Sequence, residues 1–376
     1  MKLIKDVGTI GFSDIVSAGL GAFFWFYLAT LLPSEGYGEI QFFMSISGMA
    51  FGASMLAQSN AVTVYEAKKI ELRKTLFLLS ISGGLFSTLI LFVIYQRFDI
   101  GLLIMGMIFG ELTSGYFLGK KLFSKYATFI ILQKVLMNVL AIGLYYVIGM
   151  NGIIFGIGIS YLPTAWIIFK SFKNSTLNWN LLRKHGKFLI NNYAIIINGS
   201  VKSNLDKILI MPIVGFGVLG NYAIAFQIYH VLMMFSNMAM RYSLPQNASG
   251  VDIKKFNIIT IIVACLLSLI GIFIVPKIIP IYFPNYIESI EVIPIMSVAI
   301  IPNSISLIYL SKFLGREKSK FVLIANASST AAYLILLSIL VTITPLFGIG
   351  VSYLVSSIVN VSLLVLLYTT KIKNYD

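Results

Sequence analysis

Apolar runs of about twenty residues recur along the whole chain, each closed by a short polar or charged stretch. Twelve runs are readable, roughly 7–31, 40–63, 76–95, 100–118, 126–148, 152–169, 188–211, 218–240, 256–275, 292–311, 321–342 and 346–368. At 1.5 Å per residue, about twenty helical residues cross a hydrocarbon layer of about 30 Å. Strands of an outer-membrane barrel would alternate apolar and polar residues over about ten positions, and these runs do not alternate. The first run carries Asp14 and ends in Leu32-Pro33-Ser34-Glu35, without the small-residue cleavage site of a signal peptide. The pattern predicts an all-α integral membrane protein with about twelve transmembrane helices.

Composition agrees. Of 376 residues, 58% are hydrophobic and only 11% charged, against about 25% charged in a soluble domain. A soluble enzyme and a disordered chain are both excluded. Cys265 is the single cysteine, and His185 and His230 are the only histidines. Neither a disulfide framework nor a Cys/His metal site is expected, and no metal or cofactor is predicted. A net charge of +14 on a soluble protein would suggest nucleic acid. Here 23 of the 28 lysines and arginines fall in alternate loops or at the termini. The other loops hold only Arg97 and Lys277, together with Glu35, Glu39, Asp99, Glu288 and Glu291. The positive-inside rule then puts both termini in the cytoplasm of a multi-pass cell-membrane protein, with no nucleic-acid partner.

The chain also repeats itself. Phe155-Gly156-Ile157-Gly158-Ile159-Ser160-Tyr161-Leu162 returns as Phe347-Gly348-Ile349-Gly350-Val351-Ser352-Tyr353-Leu354, an offset of 192 residues. The same offset aligns Lys120, Lys121 and Lys125 with Lys312, Arg316 and Lys318. Earlier in each half, Gly36-Tyr37-Gly38-Glu39 lies opposite Gly220-Asn221-Tyr222 at an offset near 182. Six spans per half is an even number, so the halves run parallel. The expected organisation is an N-terminal six-helix bundle over 1–170, a cytoplasmic linker over 171–187 and a C-terminal six-helix bundle over 188–376. Parallel repeats of this kind recur in transporters, with the substrate path between them.

Three stretches carry a resemblance to a known family. They are Leu28-Ala29-Thr30-Leu31-Leu32 followed by Gly36-Tyr37-Gly38, Asp206-Lys207-Ile208-Leu209-Ile210 followed by Gly217-Val218-Leu219-Gly220-Asn221-Tyr222-Ala223, and Phe347-Gly348-Ile349-Gly350. In this order they resemble the O-antigen-flippase-like polysaccharide exporters, the lipid-linked oligosaccharide flippases of the multidrug/oligosaccharidyl-lipid/polysaccharide exporter superfamily. Many of those have fourteen spans, and the resemblance implies a shorter member that lacks the last pair. The resemblance implies a MATE-like pair of six-helix bundles around a central cavity. It also implies alternating access that moves an isoprenoid-linked oligosaccharide from the inner to the outer leaflet. Expected partners are membrane lipids, the lipid-linked glycan and glycan-assembly membrane proteins.

Such a task is one of solvation, because a sugar-phosphate headgroup cannot leave water without replacement partners. It needs no covalent catalysis, and the sequence holds no P-loop, G-x-S-x-G or metal-ligand cluster. The informative residues are charges inside spans, each costing about 3 kcal/mol at mid-bilayer: Asp14, Glu111, Lys134, Lys202, Asp206 and Lys207. Asn198, Lys202 and Asp206 follow i, i+4, i+8 and share one helix face. Two readings stay open there: a cavity wall with Lys202 on the substrate phosphate, or a local Lys202–Asp206 pair. Lys207 is read as reaching to the interface. Lys134 is either a second headgroup ligand or the partner of Glu111. Asp14, and with it Glu111, is a candidate for ion coupling; the alternative is a structural partner of a neighbouring polar group. Gly48/Gly52, Gly106/Gly110 and Gly115/Gly119 are spaced for close helix contact. Pro163, Pro294 and Pro302 should interrupt their spans. The rival functions are an ion-coupled multidrug or organic-cation antiporter, which would favour an acidic cavity without lysines, and a membrane glycan polymerase or ligase. The second would carry a long outer loop, and the longest here is about 276–291.

Overall fold

A computed structural model describes residues 2–55, 59–172, 176–249, 251–316 and 318–371. Every regular element among them is helical: α1 (Lys2–Leu31), α2 (Ser34–Ser54), α3 (Ser59–Ala67), α4 (Arg73–Tyr95), α5 (Phe98–Gly119), α6 (Phe123–Ile148), α7 (Asn151–Ile159), α8 (Leu162–Phe172), α9 (Trp179–Lys184), α10 (Gly186–Ala248), α11 (Lys254–Phe273), α12 (Val275–Tyr282), α13 (Ser289–Val298), α14 (Ile300–Gly315), α15 (Ser319–Ile343) and α16 (Pro345–Lys371). Backbone amides in lipid have no water to bond, and a helix satisfies them internally.

Ten of the described stretches are long and apolar enough to cross a membrane. Twelve crossings were expected, and two local facts account for the difference. The 49-residue stretch Gly199–Asn247 is too long for one crossing. Its backbone breaks at Gly215, with φ 80° and ψ 177°, a conformation that glycine alone adopts without strain. It therefore supplies two crossings. The 21-residue α2 opens with Ser34, Glu35, Gly36, Gly38 and Glu39, small and polar residues that dilute its apolar run. Two other spans are interrupted near Pro163 and Pro302, as anticipated, whereas Pro294 lies inside α13 without breaking it. One breaks between α7 and α8, just ahead of Pro163, and the other between α13 and α14, three residues before Pro302.

Apolar residues cover the outside. Leu85, Phe86, Leu89 and Val93 of α4 are 56–67% exposed, and so are Ile335, Ile339 and Ile343 of α15 at 54–69%. A surface like this is incompatible with water and suited to lipid. Small and polar residues are buried instead. Ser47, Ser304 and Ser352 each donate to the carbonyl four residues earlier, at 2.7–2.8 Å.

The chain divides into two compact units, residues up to Leu28 with Phe42–Ile208, and Ala29–Gln41 with residues from Leu209 onward. In the first, α5 is central because its glycines admit neighbours. A Cβ at Gly106 would come within 3.0 Å of the Gly158 carbonyl oxygen, and one at Gly119 within 2.9 Å of that of Thr63. In the second, α14, α15 and α16 close on Phe313, Val322, Ala325 and Leu364.

Candidate functional site

In the first unit the intramembrane polar groups of α1, α5 and α6 do not pair as expected. Lys134 and Glu111 do not meet. The nearest polar contact of the Lys134 ammonium is the Met137 sulfur at 3.9 Å, and among the described residues it forms no ion pair. Glu111 is half-buried on α5. The Tyr161 ring occupies the space that side chains at Gly106 and Gly110 would fill. Asn138, one turn beyond Lys134, donates to the Lys134 carbonyl at 2.8 Å and to that of Leu20 on α1 at 3.3 Å. Gln133 donates to Ser160 at 3.1 Å, where α7 ends. Asp14 is half-buried on α1, and its carbonyl accepts from Ser17 at 3.1 Å.

On α10, Asp206 and Lys207 are 3% and 5% exposed and form an ion pair at 3.3 Å. Lys207 also donates to the Ser203 carbonyl at 3.0 Å. Lys207 therefore does not reach to the interface. Its burial is sustained by a carboxylate beside it, which makes the pair neutral. The side chains of Asn198 and Lys202 lie outside the described residues. The neighbouring turns of α10 bear on α2: Tyr193 donates to the Ala53 carbonyl at 2.8 Å, and a Cβ at Gly48 would come within 2.7 Å of the Asn204 side chain.

In the second unit the repeat positions are occupied by neutral groups. Adding 192 to Glu111, Lys134 and Tyr161 gives Asn303, Asn326 and Tyr353. Asn303 donates to the Tyr229 hydroxyl at 2.8 Å and to Ser357 at 2.9 Å. Tyr353 stacks edge-on against Tyr229, with centroids 5.1 Å apart, and stands 5.9–6.0 Å from Tyr333 and Phe226. Asn360 donates to Asn326 at 2.9 Å. His230 is exposed and edge-on to Phe226 at 4.4 Å. A search for charges overlooks this aromatic–amide cluster, but the 192 offset applied to Glu111 and Tyr161 leads to it.

Also in the second unit, the α1–α2 corner crosses α10 at two glycines. A Cβ on Gly38 would overlap the Phe216 carbonyl oxygen, and one on Gly220 would overlap that of Ser34. Ser34 and Phe216, and likewise Gly38 and Gly220, are 182 residues apart. The contact is thus reciprocal, each repeat presenting the same glycine to the same carbonyl of the other. Polar bonds secure it. Tyr286 donates to the Leu32 carbonyl at 3.0 Å and packs edge-on against Tyr37 at 5.6 Å. Asn221 accepts from the Ser289 amide at 3.1 Å and donates to Glu288 at 3.3 Å. Burial pushes the Tyr286 phenol well above its ordinary range, so it remains a donor at any physiological pH.

The chain thus combines membrane-spanning helices, an internal repeat and a buried intramembrane ion pair. No family model matches the chain, and no curated protein matches it in sequence. Solved structures do. An inward-closed lipid II flippase MurJ aligns with a TM-score of 0.71 at 16% identity, covering 96% of this chain and 87% of that one. An inward-facing MATE multidrug resistance transporter of the MOP superfamily aligns at 0.67 and 13%, covering 94% and 96%. A MOP superfamily transporter from Pyrococcus furiosus, described as having a binding pocket of reversed polarity, aligns at 0.57 and 13%, covering 97% and 96%. This chain has the fold they share.

Proposed function

We propose that the protein is a flippase that moves an isoprenoid-linked oligosaccharide or polysaccharide precursor from the inner to the outer leaflet by alternating access. The observation that carries this reading is Lys134, a half-buried cation within a spanning bundle that forms no ion pair among the described residues. A cation retained there without a carboxylate favours an anionic cargo, since a (pyro)phosphate would supply the missing charge-assisted bonds. The lipid II flippase with the same fold supports the lipid-linked class of cargo. The charge split among loops supports cytoplasmic termini and, with them, an outer-face position of the Gly38–Gly220 crossing. We assign Lys134, together with Asn198, Lys202 and Asp206, to headgroup binding and Asp14 and Glu111 to ion coupling. The organic-cation antiporter is the second reading, favoured by Asp14 and Glu111 in one unit and by the Phe226–Tyr229–Tyr353 aromatic cluster in the other.

The test is reconstitution in vesicles with a fluorescent polyprenyl-diphosphate-linked saccharide, scoring its transfer between leaflets by quenching from outside. Wild type should transfer it, Lys134→Gln should slow transfer at least tenfold, and Lys134→Arg should retain part of it. An imposed proton or sodium gradient should accelerate transfer, and Asp14→Asn should remove that acceleration. Transport of an organic cation by both wild type and Lys134→Gln, with no glycolipid transfer, would select the antiporter.

A further inference from the structure

We propose that a cavity at the basic ends of α4, α5, α6 and α8 binds the phosphate headgroup of an anionic membrane lipid, separately from the transport path. The cavity has a volume of about 420 Å³, and Arg73, Lys120, Lys125 and Lys170 line it without any carboxylate. Arg73 is balanced from behind by Glu66 at 3.3 Å. Lys125 and Lys170 form no ion pair or hydrogen bond among the described residues. Among the described residues Lys120 bonds only Tyr116, its ammonium 3.0 Å from the hydroxyl and 4.7 Å from the ring centroid. The Arg73 guanidinium lies 5.1 Å from the centroid of the same ring. One tyrosine thus holds two cations at the rim, and four like charges face a space that an anion would neutralise.

The surroundings specify a lipid rather than a soluble phosphate. Leu162, Trp166 and Phe169 follow i, i+4, i+7 on α8 and are 55%, 74% and 60% exposed. They extend from the cavity, which Trp166 itself lines, as an apolar stripe on which an acyl or prenyl chain can lie. Basic pockets between spanning helices on the cytoplasmic side suit this class of ligand.

The repeat supports the assignment. Lys312, the counterpart of Lys120, lines a cavity in the second unit with Lys254, Arg316 and Tyr368. There the Lys312 ammonium lies 4.8 Å and 5.2 Å from the Tyr309 and Tyr368 centroids. That cavity measures only about 190 Å³ and includes Asp252, which pairs with Lys254 at 3.3 Å. Its anion requirement is already met in part, so the first-unit cavity is the principal site.

The experiment uses the purified full-length protein in neutral detergent. Binding is measured by native mass spectrometry for phosphatidylglycerol, a polyprenyl phosphate, phosphatidylcholine and inorganic phosphate. One or both phosphate lipids should bind at least tenfold more tightly than phosphatidylcholine, and their order tells whether a bulk lipid or a carrier lipid is the natural source. Lys120→Gln/Lys125→Gln/Lys170→Gln should lose at least tenfold of that binding. Lys184→Gln/Lys255→Gln/Lys320→Gln removes as many exposed charges elsewhere and should stay within twofold of wild type. Should the first triple variant fold poorly, Lys170→Glu alone, at an exposed position, should reduce binding severalfold. Equal binding of phosphatidylcholine, unchanged binding by the cavity variants, or inorganic phosphate binding as tightly as the lipids would overturn the proposal. Glycolipid transfer is scored separately, so failure here leaves the flippase reading intact.

Discussion

Replacing Gly220 by alanine tests how far the close crossing of the α1–α2 corner with α10 depends on its glycines. The added Cβ would overlap the Ser34 carbonyl oxygen and lie 2.7 Å from its carbon. Carbon atoms rest at about 3.5 Å or more, so the two backbones must part by about 1 Å. Overpacking of this kind costs about 1–3 kcal/mol. Gly38→Ala makes the reciprocal clash, against the Phe216 carbonyl and 2.8 Å from the Gly220 nitrogen. At about 2 kcal/mol each, either change should lower the ratio of closed to open crossing about 30-fold. Tyr286→Phe adds no bulk and removes only the bond to Leu32. At about 1 kcal/mol it should shift the ratio about fivefold. The reporter is Ser289→Cys in a Cys265→Ala background. Ser289 is 0% exposed, and its amide is held by Asn221, so a thiol there reacts only when the crossing opens. The labelling rate by an impermeant maleimide then follows the open population. Gly143→Ala is the control, because nothing lies within 4 Å of its added carbon. Wild-type labelling rates in folded Gly220→Ala and Gly38→Ala would refute this dependence, and so would equal acceleration by Gly143→Ala.

Two further outcomes follow from the structure. Asp206→Asn leaves Lys207 buried without its carboxylate and should lower stability by about 3 kcal/mol, whereas Asp206→Asn/Lys207→Gln should recover most of it; thermal unfolding in detergent checks this, and equal losses would contradict the pairing. Single cysteines at Asn285 and Ser319, with Cys265 replaced, test sidedness: the first should react with an impermeant reagent on intact cells, the second only after permeabilisation.

The sequence by itself determined the spans. Lipid leaves a backbone no partner but its own helix, so length and hydropathy suffice to find helices, and the offsets of 182 and 192 residues give their pairing by repeat. The helix α10 breaks at Gly215, between the runs read as 188–211 and 218–240. The partners of the intramembrane charges were decided only by tertiary structure. Glu111 and Lys134 stand at similar depths on consecutive spans, which suggests a pair, yet the Lys134 ammonium lies by the Met137 sulfur. Asp206 and Lys207 are adjacent in sequence and would ordinarily leave a helix in different directions, yet they pair because both are buried. Periodicity fixes which face of a helix is polar, but not what stands opposite. Contacts such as those of Gly38 with Phe216 and Gly220 with Ser34 depend on how closely two backbones approach, and sequence spacing does not encode that distance.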